Sequence, residues 1–174
     1  MRNTPVDVHI QKATAGDADA LAELVCALAD YERLPRPEPA ALERLARDAF
    51  GPAPRFDAWL ARADGRAAGY AISFFTYSTF LAMPTLYLED LFVLPDYRSL
   101  GIGKRLFLAC AQYGYAQGCG RMEWQVLNWN TPAIAFYQRL GARHMEEWQP
   151  FRMTRDQMGA LIGELSGSEA IIRR

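Results

Sequence analysis

The order of elements along the chain predicts an α/β protein, with a mixed sheet covered by helices. Apolar residues alternate with period two in several short segments and recur at helical spacing in longer ones, and the two kinds of segment are interleaved. The 174 residues suffice for one stable core. A content of 51% hydrophobic and 22% charged residues is typical of globular proteins. We therefore expect one domain over residues 1–174, with a flexible tail from about residue 166.

The N-terminal part is predicted to form a strand followed by two helices. Val6–Ile10 alternates apolar and polar residues, as a half-buried strand does. Residues 17–34 carry apolar side chains at helical spacing, and three prolines then interrupt the chain. A second amphipathic helix follows, with an apolar face formed by Leu42, Leu45, Ala46 and Ala49.

Three strands come next, and a tight turn joins the first two. Residues 58–63 and 67–77 flank Asp64-Gly65, a pair that is typical of β-hairpins. Residues 86–94 form the following strand. Because side chains alternate between the faces of a strand, one face is predicted to carry Leu86, Leu88 and Phe92 and the other Tyr87, Leu91 and Val93.

The C-terminal half is predicted to contain three helices and two strands. Glycines close the first helix, a polar cap with a proline opens the second, and a Thr154–Gln157 capping box opens the third. In chain order the elements are a helix over 103–117, a strand over 121–127, a helix over 130–141, a strand over 143–153 and a short last helix.

Charge and composition exclude several classes of function. A net charge of −1 creates no general positive field for nucleic acid or an anionic membrane. The sequence has no signal-peptide core and no apolar run of membrane-spanning length, so we expect a cytoplasmic protein. Three cysteines at unrelated spacings and two distant histidines disfavour a disulfide framework, a metal centre and a histidine-based triad. We expect no metal, no nucleic acid and no membrane partner.

The segment after residue 94 has the composition of a phosphate-binding turn. Gly101 and Gly103 allow close approach of the backbone to a ligand, and they precede a helix whose first N–H groups carry partial positive charge. Arg98 and Lys104 add cations, so a pyrophosphate would fit. The Rossmann and P-loop patterns both fail to match. From these residues alone, a plain strand–turn–helix junction with solvated cations is an equally open interpretation.

Two motifs, RSLGIG at 98–103 and NTPAIAFYQRLGA at 130–142, resemble those of the GCN5-related N-acetyltransferase (GNAT) superfamily. The resemblance implies the GNAT fold, with a mixed, mostly antiparallel central sheet flanked by helices, and acetyl-CoA as the cosubstrate. It also implies that the strand before the turn separates from its neighbour and leaves backbone N–H groups free. The residues implied to bind acetyl-CoA are Leu91, Phe92, Val93, Arg98, Ser99, Leu100, Gly101, Ile102, Gly103, Lys104, Asn130 and Ala133.

Longer segments resemble the diamine (spermidine/spermine) and thialysine acetyltransferase branch; they are YLEDLFVLPDYRSLGIG, NWNTPAIAFYQRLGA and LADYERL. This resemblance implies a homodimer and a small primary amine as acceptor. It points to Tyr31 and Glu32 as amine contacts, with Glu123 and Glu147 as further acidic candidates. Each acid could instead be a solvated surface charge.

Acetyl transfer to an amine needs a proton acceptor, because a primary alkylamine with a pKa of about 10.4 is protonated near pH 7. The resemblance points to Glu89 as an amine contact and water-mediated base, and to Tyr137 as the acid for the departing thiolate. A backbone N–H of Leu91 or Val93 would stabilise the oxyanion. By residue type alone, Glu89 is more often an exposed charge and Tyr137 more often a core residue. Strand alternation places Glu89 and Asp90 on opposite faces, so we expect no acid pair.

The identity of the amine is less constrained. Asn128 and Thr131 stand where many polyamine enzymes carry acids, which favours a short amine or a lysine-like amino acid such as thialysine. Two alternatives stay open. The acceptor could be a protein lysine or N-terminus, or the chain could be a non-catalytic acyl-CoA-binding regulatory module, which would need neither Glu89 nor Tyr137.

Overall fold

The structure, a computed structural model, describes residues 6–172, and side chains as far as residue 163. In chain order the strands and α-helices are β1 Val8–Lys12, α1 Ala18–Glu32, α2 Pro39–Phe50, β2 Asp57–Ala63, β3 Arg66–Ser78, β4 Met83–Val93, α3 Ile102–Ala116, β5 Arg121–Trp124, α4 Thr131–Arg139 and α5 Arg155–Ile172. The structure also contains two short 3-10 turns, Ala15–Asp17 and Pro95–Tyr97. The chain divides into two compact units, Met1–Gln125 and Val126–Arg174, and the expected single domain stays a prediction.

The first unit is built on a five-stranded sheet in the order β1-β2-β3-β4-β5. The first four strands pair antiparallel, and β4 and β5 are parallel. The predicted mixed, mostly antiparallel sheet is therefore confirmed. The predicted hairpin turn between β2 and β3 is also present, since Asp64 and Gly65 have φ of 49° and 78° and form the left-handed turn that suits two twisted strands.

Each face of the sheet carries its own hydrophobic core. One cluster joins Leu86 and Leu88 of β4 to the inner face of α3, where Leu106 and Cys110 are fully buried. The other joins Tyr70 and its neighbours on β3 to α1. Burying a side chain of this size stabilises the fold by roughly 1.5–3 kcal/mol, so both helices are fixed against the sheet by their apolar stripes.

A β-bulge in β4 changes the predicted facing of its side chains. Ser73 lies opposite Leu88, but the next residue of β3, Ile72, lies opposite Asp90, so Glu89 is one extra residue in β4. Phe92 consequently packs on the α1 side, whereas Leu86 and Leu88 belong to the α3-side core. The prediction that these three share a face is wrong, because it assumed unbroken alternation.

The same bulge also changes which side of the sheet Leu91 and Val93 face. Leu91 and Val93 pack against the α3-side core, together with Leu86 and Leu88. One inserted residue therefore exchanges the faces of everything that follows it in β4.

The second unit contains α4 and α5. The Thr154–Gln157 capping box is confirmed by reciprocal hydrogen bonds of 2.8 and 3.2 Å, although α5 has 18 residues rather than one short turn or two. We also expected a flexible tail from about residue 166. The side chains of that segment lie outside the described ones, so this expectation stays a prediction.

Two strand predictions in the C-terminal half need correction. β5 ends at Trp124 rather than at residue 127. The predicted strand over 143–153 is wrong: the segment has no regular structure, and its large apolar side chains are exposed. Its apolar residues do not alternate strictly and Pro150 interrupts them, so the segment presents no single apolar face to a sheet.

Candidate active site

β5 accompanies β4 along only part of its length. The parallel pairing covers residues 85–88 of β4 and stops where β5 ends at Trp124. We call residues 89–93 the open segment. Among the strands described in the first unit, β3 is its only neighbour. The separation of two strands that the resemblance implied is therefore present in the fold, and it begins at the bulged residue Glu89.

The open segment presents backbone donors away from β3. Leu94 donates its N–H to the carbonyl of Ala68 on the β3 side, with N···O 2.9 Å. N–H groups alternate in direction along a strand, so those of Leu91 and Val93 point to the edge that β5 has left. Two parallel donors at this edge can polarise a carbonyl oxygen and stabilise an oxyanion.

The turn that follows is shaped for an anion. Ser99 and Gly101 have φ of 66° and 76°, and α3 begins directly afterwards at Ile102, which is anchored in the core. Gly101 is required by its left-handed backbone rather than by space, since nothing lies near a Cβ built there. The unpaired N–H groups of the first turn of α3 and the helix dipole favour a phosphate at this point.

Arg98 does not extend towards the helix start. Its Nε donates a hydrogen bond to the carbonyl of Val93, with N···O 3.1 Å. Its guanidinium carbon lies 4.6 Å from the ring centroid of Tyr31 and 5.9 Å from that of Phe92. The exposed Lys104 instead stands directly in the first turn of α3.

An acidic cluster lies on the α1 side of the open segment. The hydroxyl of the fully buried Tyr70 donates to Asp90 Oδ2, with O···O 3.1 Å. Burial raises the pKa of Asp90 to about 6, the Tyr70 hydrogen bond opposes that shift, and the charges of Glu89 and Glu32 add to it. The bulge breaks the alternation that would separate Glu89 from Asp90, and the charge of Glu89 acts on Asp90. The expectation that the two do not form an acid pair stays a prediction.

Glu32 completes this cluster from α1. It lies in the last turn of the helix beside Tyr31, whose ring centroid is 6.0 Å from that of Phe92. Burial raises the pKa of the Glu32 carboxyl. The structure thus brings the predicted amine contacts to the open segment, where Tyr31 contacts Phe92 and the charge of Glu32 acts on Asp90.

Glu123 lies at the margin of the cluster. It stands opposite Tyr87 in the β4–β5 pairing and forms an ion pair with Arg121, with N···O 3.1 Å. Burial raises the pKa of Tyr87, and the charges of Glu89 and Glu123 raise it further. Glu123 is therefore close enough to act on Tyr87, and its carboxylate already has a cationic neighbour in Arg121.

The second unit contains the other predicted site residues. Asn130 caps α4, and its Oδ1 accepts a hydrogen bond from the backbone N–H of Ala133, with N···O 3.4 Å. Tyr137 is half-buried on α4, with its ring centroid 5.1 Å from that of Phe136.

Glu147 is exposed and paired with Arg143, with N···O 3.4 Å. The predicted strand around Glu147 does not form, and none of the contacts described for this unit fixes that carboxylate as an amine contact.

Asp90 and Tyr70 are members of the cluster that sequence reasoning missed. Tyr70 looks like one more apolar strand residue, and Asp90 was assigned to the opposite face from Glu89. The adjacent acids in LEDLF could have prompted the question of a bulge, but only the pairing with β3 answers it.

Metal and membrane features are absent from the part of the chain that the structure describes. No cluster of three or more histidine, cysteine or acidic residues could hold a metal ion there. None of the helices described there is long and apolar enough to span a bilayer. The chemistry of the described residues is that of carboxylates, tyrosines and backbone donors.

Comparison with known proteins agrees with this geometry. Residues 21–142 match the acetyltransferase (GNAT) family. The chain is 34% identical to the thialysine N-epsilon-acetyltransferase of Sus scrofa, over 90% of this chain and 98% of that one. It is 31% identical to the human spermidine/spermine N(1)-acetyltransferase-like protein 1, over 91% of this chain and 24% of that protein.

A solved structure gives the same answer for the fold. The aminoglycoside N-acetyltransferase AAC(6')-Iy in complex with CoA superposes with a TM-score of 0.69 at 25% identity, over 89% of this chain and 99% of that one. With a family match over most of its length and a relative of this similarity, the chain belongs to the acetyltransferase (GNAT) family and is an N-acetyltransferase.

Proposed function

We propose that this enzyme transfers the acetyl group of acetyl-CoA to a small primary amine by direct attack on the thioester. The observation that carries the proposal is the acidic cluster of Glu32, Glu89 and Asp90 beside the open segment. A cationic amine is attracted by carboxylates, and the backbone donors next to them suit the acyl group that the amine attacks. The names of the relatives from pig and human support an amine acceptor.

The residues of the first unit fit acetyl-CoA. The edge of the open segment offers the N–H groups of Leu91 and Val93 to the acyl arm. The turn over residues 98–104 offers a helix N-terminus and Lys104 to the pyrophosphate. A Cβ at Gly103 would lie 3.8 Å from the Val93 side chain, so this backbone is close to the edge without crowding it. From the second unit, Asn130 and Ala133 are proposed contacts by resemblance.

The proposed reaction begins with removal of a proton from the bound ammonium. Glu89, at the bulge, accepts this proton through a water molecule. Asp90 lies close enough for the charge of Glu89 to act on it. The free amine nitrogen then attacks the thioester carbonyl, and the Leu91 and Val93 N–H groups stabilise the oxyanion. The C–S bond breaks as the amide forms. By resemblance, the Tyr137 hydroxyl gives its proton to the departing thiolate, and the second proton of the amine nitrogen, released as the amide forms, restores the hydroxyl through solvent.

The acceptor favoured by these residues is a short amine or a lysine-like amino acid. By resemblance, Asn128 and Thr131 stand where many polyamine enzymes carry acids, so the site is less acidic than a long polyamine would require. Thialysine, whose name the relative from pig carries, is the first compound to test. A protein lysine or N-terminus remains the alternative acceptor.

We also expect the enzyme to be a homodimer. Three aromatic side chains near the turn between β3 and β4 are exposed, Phe75 by 42%, Tyr77 by 64% and Phe80 by 99%. Exposed aromatic patches mark interaction surfaces. Sedimentation of the wild-type chain and of a Phe80→Ser variant tests this expectation: a monomeric wild type would remove it.

An acceptor screen with acetyl-CoA tests the proposed function. Thiol release is followed with thialysine, lysine, putrescine, spermidine, spermine and a lysine peptide. Turnover on a free amine, lowered about 100-fold or more in Tyr137→Phe, is the expected result. Turnover on the peptide alone would favour the protein acceptor. Tight CoA binding with no turnover on any acceptor would favour the non-catalytic module.

A further inference from the structure

Arg98 is tied to the fold at three points although it is exposed. Its Nε donates to the carbonyl of Val93, and its guanidinium lies over the rings of Tyr31 and Phe92, at 4.6 and 5.9 Å from their centroids. The two rings are themselves neighbours, with centroids 6.0 Å apart. We call Tyr31, Phe92 and Arg98 the aromatic clamp.

The aromatic clamp joins three elements that serve different parts of the proposed reaction. Tyr31 stands in the last turn of α1, next to Glu32 of the acidic cluster. Phe92 lies in the open segment, between the two residues whose N–H groups point to the free edge. Arg98 begins the phosphate-binding turn. One side chain therefore contacts both the amine side and the acyl-CoA side of the site.

The chemistry of the contacts favours arginine. A planar guanidinium can lie over an aromatic ring while its Nε donates a hydrogen bond in the same plane. A lysine ammonium is a single point charge at the end of a flexible chain, so it holds the two contacts in a less fixed geometry. The Val93 carbonyl belongs to the open edge, so the guanidinium is fixed next to the reacting groups rather than at the start of α3.

We infer that Arg98 is a positioning residue for the amine acceptor: through the aromatic clamp it holds Tyr31, and with it the end of α1, against the open segment. The inference rests on the proposed function and adds to it. In this arrangement the backbone of the turn and Lys104 bind the pyrophosphate. Arg98 instead sets how well the acceptor is held, so it links occupancy of the amine site to the geometry of the turn.

Steady-state kinetics of Arg98→Lys, with Lys104→Gln as the matched control on the same turn, test the inference. Arg98→Lys should raise the KM for the amine about five-fold, the effect expected when a cation–π contact of ordinary strength is lost, with a smaller change in the Kd for acetyl-CoA. Lys104→Gln should raise the Kd for acetyl-CoA and change the amine KM less. If Arg98→Lys weakens only acetyl-CoA binding, Arg98 is a phosphate ligand and the inference is overturned.

A double-mutant cycle between Arg98 and Tyr31 separates positioning from a general loss of structure. Tyr31→Leu should raise the amine KM in the wild type but have little further effect in Arg98→Lys, because both changes break the same contact. Tyr31→Phe retains the ring and should remain sensitive to Arg98→Lys. Effects that simply multiply in all backgrounds would overturn the inference.

The same cycle is measured on the free energy of unfolding in urea, which needs no turnover. Coupled effects of Arg98→Lys and Tyr31→Leu on stability support the clamp, and additive effects overturn it. A wild-type chain that acetylates no amine would overturn the proposed function, and the unfolding cycle would still decide whether the clamp exists.

Discussion

The two halves of β4 differ in their strand neighbours and in the burial of their side chains. Residues 85–88 lie between two neighbouring strands, and Leu86 and Leu88 are almost fully buried in the α3-side core. Residues 89–93 have one strand neighbour, carry the acids and expose backbone donors. A single extra residue, Glu89, separates the halves. The inserted residue thus stands where β4 loses its neighbour β5, while the pairing of β4 with β3 continues past it.

The largest effect should come from the buried half. Leu88→Ala removes a side chain that is 2% exposed, so it should lower the free energy of unfolding by about 2–5 kcal/mol. The folded fraction of this variant should retain the amine KM of the wild type, because Leu88 contacts the core and not the site. Urea unfolding and kinetics on the same preparation measure both quantities.

Glu89→Gln is the matched change in the open half. It should alter the unfolding free energy by less than about 0.5 kcal/mol, since its side chain is exposed. A destabilisation as large as that of Leu88→Ala would contradict the division of β4 into a structural and a reactive half.

The next effect concerns the pH dependence of stability at Asp90. Its pKa rises from 3.8 to about 6 on folding, so the folded state holds the proton more tightly than the unfolded chain does. The stability contributed by the protonated form is complete below about pH 4 and is lost as the pH rises through 6, by about 2–3 kcal/mol. Comparing the unfolding free energy of wild type and Asp90→Asn from pH 4 to 7 measures this difference. If the two curves stay parallel, Asp90 is not held in the buried environment described.

A smaller effect at Asp90 sharpens the same point. In the wild type the Tyr70 hydroxyl donates a hydrogen bond to Asp90 and thereby lowers the pKa of that carboxyl, and Tyr70→Phe removes this hydroxyl. The pKa of Asp90 should therefore rise further in this variant, by up to about one unit. Titration of the Asp90 carboxyl carbon by NMR in both proteins measures the change, and a lower pKa in Tyr70→Phe would contradict the assignment of the hydrogen bond.

Local features were the ones that sequence could predict. The Asp64-Gly65 turn, the Asn130 cap and the Thr154–Gln157 box depend on a few neighbouring residues, and all three are present. The glycine-rich start of α3 is likewise a local pattern, and it lies where the motif placed it.

Features that depend on distant pairing could not be predicted in the same way. The bulge at Glu89 exists because Ile72 pairs with Asp90, and nothing within LEDLF itself requires it. For the same reason the interaction of Asp90 with Tyr70, twenty residues away, and the stacking of Arg98 on Tyr31 were missed. Motifs predict a set of site residues, whereas the long-range register determines which of them lie close together.

The central claim, that the open segment binds and deprotonates the amine, is tested most directly by the pH dependence of kcat/KM for the amine from pH 5 to 9. In the wild type we expect kcat/KM to rise with pH, with an inflection near 6 from Asp90. Glu89→Gln should lower it by about 100-fold, and Asp90→Asn should remove the inflection near 6. Profiles of both variants that stay within about two-fold of the wild type across this range would contradict the claim, because effects that small fall far below those of a general base.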